Sequence, residues 1–425
     1  MDTQNFLSYS SPIMVHFIEL SLGKGIMIPH NRTVKVLLQA LTVIFLVVIP
    51  LYLVLNNSST PLLSPKDNVM SIKLGKKCDI YRGKWVPYPN DLYYTNETCP
   101  EIFDQQNCMK FGRPDTEFLK WRWKPEECEL PIFDAVRFLE LLKGKSLAFV
   151  GDSLGRNHMQ SLMCLLTRVG YPKDVYYPDP RFKRWFYEDY NFTLLSFWSP
   201  HLVKAIDTDP NGPTYNRLMN LYLDEADPIW ASQIETFDYV IFSAGRWFFG
   251  PQMFYENGQI VGCHKCLKND IKNVSMFYGY REAFRTSFRT LVELKNFKGM
   301  VILRTLSPQH FENGEWNSGG KCVRTRPVSN LEMKLARDDL ELYMTQVEEL
   351  RAAEKHGRKR GLKFRMLDTT EAMIVRPDGH PNHYGHWPHE NVTIADCVHW
   401  CLPGPVDTWN EFLLQMLKME HEDSI

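Results

Sequence analysis

Twenty consecutive residues without a charge, Val36 to Leu55 (VLLQALTVIFLVVIPLYLVL), divide this chain into two unequal parts. Such a run is long enough to cross a hydrocarbon core of roughly 30 Å. Pro50 inside it is better tolerated in a membrane helix than in a soluble one. The run lies too deep in the chain for a cleaved signal peptide, and no small-residue cleavage site follows it. Arg32 and Lys35 flank its N-terminal side, whereas the other side has no basic residue before Lys66. The positive-inside rule therefore predicts a cytoplasmic tail at 1–35, a signal anchor at 36–55 and a lumenal body, a single-pass type II arrangement.

The cysteines follow the same division. All ten lie beyond the anchor, between Cys78 and Cys401, where an oxidising compartment allows disulfides. Acceptor sequons at Asn57, Asn96, Asn191, Asn273 and Asn391 also fall there, and one at Asn31 falls on the cytoplasmic side. Residues 56–75 read as a polar stem. Residues 76–133 hold four cysteines with Trp85, Trp121 and Trp123 but little periodic apolar sequence, so this segment depends on disulfides rather than core burial. Cys263-x-x-Cys266 has no second pair at zinc-ligand spacing, and a small disulfide loop is the expected outcome. The formal net charge of −1 gives no global field toward nucleic acid.

From 134 to 425 the pattern alternates. Apolar runs at Leu147–Val150, Tyr239–Phe242, Met300–Leu303 and Phe364–Leu367 alternate with amphipathic stretches such as Tyr280–Phe297 and Leu331–Lys355. Strands separated by helices predict an α/β fold, a parallel sheet flanked by helices. Its chemistry is expected at the carboxyl ends of the strands. Three of the four runs end in polar or glycine-bearing loops: Gly151-Asp152-Ser153, Ser243-Ala244-Gly245-Arg246 and Arg304-Thr305-Leu306-Ser307.

The first of those loops carries the strongest chemical signal. In Ala148-Phe-Val-Gly-Asp-Ser-Leu-Gly-Arg-Asn157 a strand runs through Ser153 into a helix, where free N–H groups and the helix dipole favour an oxyanion. An isolated serine there would be a simple helix cap. A matching base changes the balance: Asp396-Cys-Val-His399 spaces a carboxylate to hold the imidazole that takes a serine proton. His380, in Arg376-Pro-Asp-Gly-His-Pro381, ranks second as base and is a candidate substrate contact; His310 ranks third. Trp247, Phe248, Phe249, Trp387 and Trp400 are candidates for stacking on sugars, with core packing the alternative.

These blocks together resemble the plant trichome-birefringence-like proteins of polysaccharide O-acetylation. The matching residues are Gly151-Asp-Ser-Leu-x-Arg-Asn157, Arg304-Thr-x-Ser-Pro-x-His310-Phe, Arg376-Pro-Asp-Gly-His-Pro381, Asp396-Cys-x-His-Trp-Cys-Leu-Pro-Gly404 and Asp407-x-Trp-Asn410. Cys78-Asp-Ile-Tyr-x-Gly-x-Trp85 matches the family's cysteine-rich region. The resemblance implies an SGNH/GDSL-hydrolase-like fold, Golgi residence and a Ser153–His399–Asp396 triad. It also implies disulfides Cys78–Cys128, Cys99–Cys164, Cys108–Cys401 and Cys322–Cys397, leaving Cys263 to pair with Cys266. The related hydrolases take oxyanion donors from a Gly and an Asn in later blocks. Gly245 fits the first, but the Arg304–His310 block has no obvious Asn, which nominates Asn157 and the Ser153 backbone instead. Gly151, Asp152, Arg246 and Arg304 complete the candidate oxyanion and substrate set, with Arg246 placed to hold a sugar.

The implied reaction is transfer of acetyl through an acyl-serine to a cell-wall hemicellulose. The Val261–Cys266 insert resembles the branch of the family that acetylates xyloglucan or glucomannan; xyloglucan is the expected acceptor, with mannan, glucomannan or xylan as alternatives. A polysaccharide acetylesterase would use the same triad, and a silent wall-binding protein would not need it. No metal or bound cofactor is expected; an acetyl donor is required.

Overall fold

The computed structural model describes residues 78–90, 92–211, 217–266, 270–329, 332–390 and 392–422. The expected tail, anchor and stem, and the sequon at Asn391, lie outside them. Among the described residues no helix is long and apolar enough to cross a membrane.

The chain opens with a hairpin-like pair, β1 (Gly83–Pro87) and β2 (Trp121–Pro125), antiparallel with Trp85 opposite Trp123. The main body then runs α1 (Ala135–Leu141), β3 (Ser146–Gly151), α2 (Ser153–Leu166), β4 (Lys173–Val175), β5 (Phe182–Tyr187) and β6 (Phe192–Trp198). Next come β7 (Val203–Asp207), β8 (Met219–Ala226), α3 (Pro228–Ala231), β9 (Tyr239–Ser243), β10 (Gln252–Glu256) and β11 (Gln259–His264). The last part is α4 (Met276–Glu293), β12 (Met300–Arg304), α5 (Arg337–Gly357), β13 (Lys363–Leu367), α6 (Thr370–Ile374) and α7 (Asp407–Glu422).

Seven strands form the central sheet in the order β13-β12-β9-β3-β6-β5-β4. The first five are mutually parallel, and β5 and β4 add an antiparallel edge. The four apolar runs of the sequence are β3, β9, β12 and β13, adjacent as a parallel block. In β3, β9 and β12 the continuous apolar character follows from burial on both faces, while the edge strand β13 keeps Arg365 half-buried. Alternation sorts the side chains: Leu147, Phe149, Ile241 and Ile302 face one core with α2 and α7, whereas Ala148, Val150, Val240 and Phe242 face the other with α4 and α5. Each such side chain removed from water contributes about 1.5–3 kcal/mol.

A second sheet, β11-β10-β8-β7, was not expected from the sequence. Leu221, Leu223 and Phe254 from this sheet join the α4 side of the core. The two long helices begin and end near the expected places, at 276–293 and 337–357 rather than 280–297 and 331–355.

Five disulfides are formed: Cys78–Cys128, Cys99–Cys164, Cys108–Cys401, Cys263–Cys266 and Cys322–Cys397. Two of them, Cys99–Cys164 and Cys108–Cys401, tie the cysteine-rich segment to α2 and to the segment before α7. Asn191 and Asn273 are exposed and Asn96 is half-buried.

Candidate active site

The site is made where β3 turns into α2. Gly151 has φ +156°, and a Cβ there would lie 1.8 Å from the Ser243 carbonyl oxygen, so only glycine lets β3 pass β9 this closely. Asp152 follows as N-cap: its backbone N–H donates to Ser243 O at 3.0 Å. Its carboxylate accepts from Leu154 N at 3.0 Å and Gly155 N at 3.4 Å. With those two N–H groups taken, the Ser153 N–H at the first helical position is left for an external acceptor. Ser153 itself is half-buried, at the carboxyl edge of the sheet.

Facing it is a segment without regular structure. His399 Nε2 lies 2.7 Å from Ser153 Oγ, and His399 Nδ1 lies 2.8 Å from Asp396 Oδ2. The other oxygen, Asp396 Oδ1, accepts from the backbone N–H of His399 at 2.9 Å and of Val398 at 3.1 Å. Burial alone would raise the Asp396 carboxyl, but His399 and the two backbone donors outweigh it and bring the pKa down to about 2. Burial alone would lower the His399 imidazole; the charge and hydrogen bond of Asp396 reverse this, and the net shift is upward. A carboxylate, an imidazole and a hydroxyl linked in this order have the geometry of a nucleophile with its base and orienting acid.

Several residues expected at the oxyanion or the substrate are placed elsewhere. Asn157 is buried: its Oδ1 accepts from Trp400 N at 2.8 Å and its amide donates to Trp400 O at 3.2 Å. The turn that puts it on the Ser153 face of α2 is as expected, but the amide clamps the residue after His399 rather than facing an oxyanion. Arg246 is bound bidentately by Asp339, at 2.6 and 2.8 Å, and donates to Ser307 O at 2.9 Å, which leaves it unsuited to a sugar. Arg304 is buried, donating to Thr305 O at 2.7 Å and to Ser243 Oγ. Desolvation lowers its pKa to about 10 against the pull of Asp152. Burial likewise pushes the capping Asp152 carboxyl up, against Arg304 and the backbone donors.

His310 and His380 are also interior. His380 Nδ1–H donates to the carbonyl of His399 at 2.6 Å, and His380 Nε2 lies 2.6 Å from His310 Nδ1. Desolvation lowers both imidazoles, His310 to about 4, and the two buried rings face each other rather than an open surface. They brace the back of the His399 segment. Gly245 lies two residues past Ser243, the register partner of Gly151, and so stays beside the nucleophile.

Sequence reasoning missed Trp198 and Arg156. Trp198 ends β6 as the register partner of Gly151, and the Arg156 guanidinium lies 4.2 Å from its ring centroid. Trp247, 42% exposed, meets Trp198 edge to face at 5.5 Å, so an aromatic wall borders the nucleophile. The spacing Ser153-x-x-Arg156 was the available signal for the arginine; nothing local marked Trp198. Of the other aromatic candidates, Phe248 and Trp400 are core residues, while Trp387 is exposed and packs on Phe111. Among the described residues no group of His, Cys, Asp and Glu could hold a metal ion.

Fold and site together define a serine acyl-transfer enzyme on an α/β sheet, and similarity to known proteins narrows the class. Residues 130–416 match PC-Esterase, the GDSL/SGNH-like acyl-esterase family found in Pmr5 and Cas1p, and residues 76–129 match the PMR5 N-terminal domain. The chain belongs to this family. Protein trichome birefringence-like 19 of Arabidopsis thaliana is 54% identical over 349 residues, 81% of this chain and 82% of that protein. Xyloglucan O-acetyltransferase 4 of Populus trichocarpa is 42% identical over 345 residues, 80% of this chain and 81% of that protein. Xyloglucan O-acetyltransferase 2 of Arabidopsis thaliana is 38% identical over 357 residues, 83% and 86% of the two chains. The protein is an O-acetyltransferase.

Proposed function

We propose that this protein acetylates a hemicellulose, xyloglucan, in the Golgi lumen, with Ser153 as the acyl carrier, His399 as base and Asp396 as its orienting acid. The observation that carries the reading is the unbroken chain from Asp396 Oδ2 through His399 to Ser153 Oγ, at 2.8 and 2.7 Å. The names of relatives support the acceptor, and the uncharged run at 36–55 with all ten cysteines beyond it supports the compartment.

In the first half-reaction the Ser153 Oγ proton passes to His399 Nε2 while Oγ bonds to the acetyl carbonyl carbon. The tetrahedral oxyanion is met by the Ser153 N–H at the α2 N-terminus and by the Gly245 N–H. Collapse breaks the bond to the donor's leaving group, which takes the proton from His399, and acetyl-Ser153 remains. In the second half-reaction a sugar hydroxyl gives its proton to His399 and attacks the acyl carbon. The Ser153 C–O bond then breaks, and Oγ recovers the proton. The wall of Arg156, Trp198 and Trp247 seats the acceptor and keeps water from taking its place.

The test is intact-mass analysis of full-length protein in detergent micelles after p-nitrophenyl acetate, followed by xyloglucan, glucomannan and xylan oligosaccharides in turn. One acetyl on Ser153, absent in Ser153→Ala, and lost faster with the xyloglucan oligosaccharide than with buffer is the expected result. Equal loss in buffer identifies an acetylesterase; faster loss with another oligosaccharide replaces the acceptor. Protease protection of the body in sealed Golgi vesicles tests the compartment.

A further inference from the structure

The chain leaves β9 through Ser243-Ala244-Gly245-Arg246, and both neighbours of Gly245 are tied to the helices on one face of the sheet. The Ala244 carbonyl accepts from the Tyr280 hydroxyl of α4 at 3.0 Å and from Gln346 Nε2 of α5 at 3.3 Å. The same Gln346 accepts from Leu306 N through Oε1 at 2.7 Å, so one amide joins the loops that follow β9 and β12. Two turns earlier on α5, Asp339 binds the Arg246 guanidinium, which also donates to Ser307 O. Tyr280, Gln346 and Asp339 are all buried.

A trans peptide is planar, with its N–H opposite its C=O, and the Ala244–Gly245 bond is trans. Because the Ala244 carbonyl is held toward α4 and α5, the Gly245 N–H is aimed at the other face of the sheet, where α2 packs. The first turn of α2 sits over the end of β9: a Cβ on Gly155 would lie 3.5 Å from Ser243 Oγ. Gly245 is buried, yet among the described residues no group accepts from its N–H. Buried backbone donors are rarely left in this condition. An oxyanion formed on Ser153 supplies the missing acceptor.

We propose that Tyr280 and Gln346 are positioning residues for acyl transfer: by bonding the Ala244 carbonyl they aim the Gly245 N–H at the tetrahedral oxyanion. The proposal rests on the acyl-transfer reading, with Gly245 as an oxyanion donor. Neither side chain touches the substrate or moves a proton in the reaction. Two donors on one carbonyl also polarise the peptide, which makes the N–H at its other end a stronger donor. Burial pushes the Tyr280 hydroxyl well above its ordinary value, so it stays protonated and donating across the working pH range. Without these bonds the peptide can rock about its flanking dihedrals, and a hydrogen bond weakens steeply as it leaves the line. The Arg246–Asp339 pair still holds the far side of Gly245, so losing one bond blunts the aim without releasing the loop.

The test compares full-length protein in detergent with Tyr280→Phe, which removes only the hydroxyl, and Gln346→Met, which keeps the side chain's length but not its amide. Tyr278→Phe is the control: it removes a hydroxyl two residues away on α4 that bonds Glu256 and not the β9 loop. The readouts are the rate of acetyl capture from p-nitrophenyl acetate and inhibition by methylboronic acid. The boronic acid mimics the intermediate: Ser153 Oγ bonds to boron, its proton passes to His399, and boron becomes a tetrahedral anion. Removing an oxyanion donor outright costs roughly 10²–10³ in rate, so a misaimed one should cost about tenfold in each variant. The inhibition constant of the boronic acid should rise by the same factor. One acetyl per chain should still be captured, and the pH midpoint of capture should not move, because the Asp396–His399 pair is untouched. Tyr278→Phe should match wild type in both readouts. Capture within twofold of wild type in both variants, a moved pH midpoint, or slower capture with an unchanged boronic acid constant overturns the proposal; so does an equal loss in Tyr278→Phe. A wild type that captures no acetyl overturns the acyl-serine reading instead, and the boronic acid series then decides whether Tyr280 and Gln346 aim the Gly245 N–H.

Discussion

Asp396→Asn tests the triad most sharply, because the structure dictates how the new amide must sit. Asp396 Oδ1 accepts two backbone N–H groups, from His399 and Val398, at 2.9 and 3.1 Å. In the variant the amide oxygen must keep that position, since an NH2 group there would face two donors. The NH2 then occupies the Oδ2 position, 2.8 Å from His399 Nδ1. Nδ1 must become the acceptor and Nε2 must carry the proton, so Ser153 Oγ meets an N–H instead of a lone pair. The fold keeps its contacts, but the base is lost.

The structure also sets the size of the effect. The Asp396 carboxyl falls from 3.8 to about 2, a net stabilisation of its ionised form on the order of 2 kcal/mol. The upward shift of His399 contains the same Asp396–His399 interaction and is not added to it. Because the folded pKa of Asp396 is depressed, its stabilisation is present above the unfolded value and is lost as pH falls from 3.8 toward about 2. At pH 7, urea unfolding of Asp396→Asn should therefore show a loss of no more than about 2 kcal/mol, because the amide oxygen keeps the two backbone bonds. Acetyl capture on Ser153, followed by rapid quench and intact mass with p-nitrophenyl acetate, should fall by roughly 10³–10⁴, the scale of an inverted tautomer. The wild-type rate should rise with pH through a midpoint above 6.5, since neutral His399 is the base and its pKa is raised. The residual rate of the variant should have that midpoint lower. Capture within tenfold of wild type, with an unmoved acid limb, would refute the orientation argument.

Three further outcomes are expected. Ser153→Ala should capture no acetyl yet melt within a degree or two of wild type, because the helix cap is Asp152 and not Ser153. Asn157→Ala removes both bonds to Trp400 and should cost about 1–3 kcal/mol in urea unfolding; it should also lower the capture rate without moving its pH midpoint, as a positioning residue would. Replacing Cys108 and Cys401 together with serine should cost about 2–5 kcal/mol, measured by thermal or urea unfolding.

Part of this molecule could be read from its sequence, and the rest depended on contacts that spacing does not encode. The strands β3, β9 and β12 were legible because burial on both faces leaves a short uninterrupted apolar run, whereas β13 at the sheet edge carries a half-buried Arg365 within its run. The second sheet was not: in β8 only Leu221 and Leu223 are buried, a two-residue alternation too short to separate from loop. The triad was legible because Asp396 and His399 are near neighbours and Ser153 sits at a strand-to-helix turn. Arg246 and Arg304 were misread for the opposite reason. A charged residue at a strand end suggests a ligand, yet Arg246 is matched by Asp339 across 93 residues. Asn157 was correctly put on the nucleophile's face, but Trp400, 243 residues away, occupies its amide.

The same long-range contacts explain how a triad can be built on a segment with no regular structure. Asp396 and His399 lie on neither strand nor helix, and hydrogen bonds within four residues cannot hold a loop to a fraction of an ångström. Here the backbone is fixed from several sides. Asp396 and Asn382 exchange paired backbone bonds of 2.8 Å, and Cys401 N donates to Gly379 O at 2.9 Å. Asn157 holds Trp400, His380 holds the His399 carbonyl, and disulfides at Cys397 and Cys401 close the two ends. One of those disulfides reaches Cys108 in the cysteine-rich segment, and Arg113 of the same segment donates to the carbonyls of Asp378 and His380 at 2.6 and 2.9 Å. The cysteine-rich segment is therefore part of the scaffold that aims His399 at Ser153, which gives a physical reason for the two regions to occur in one chain.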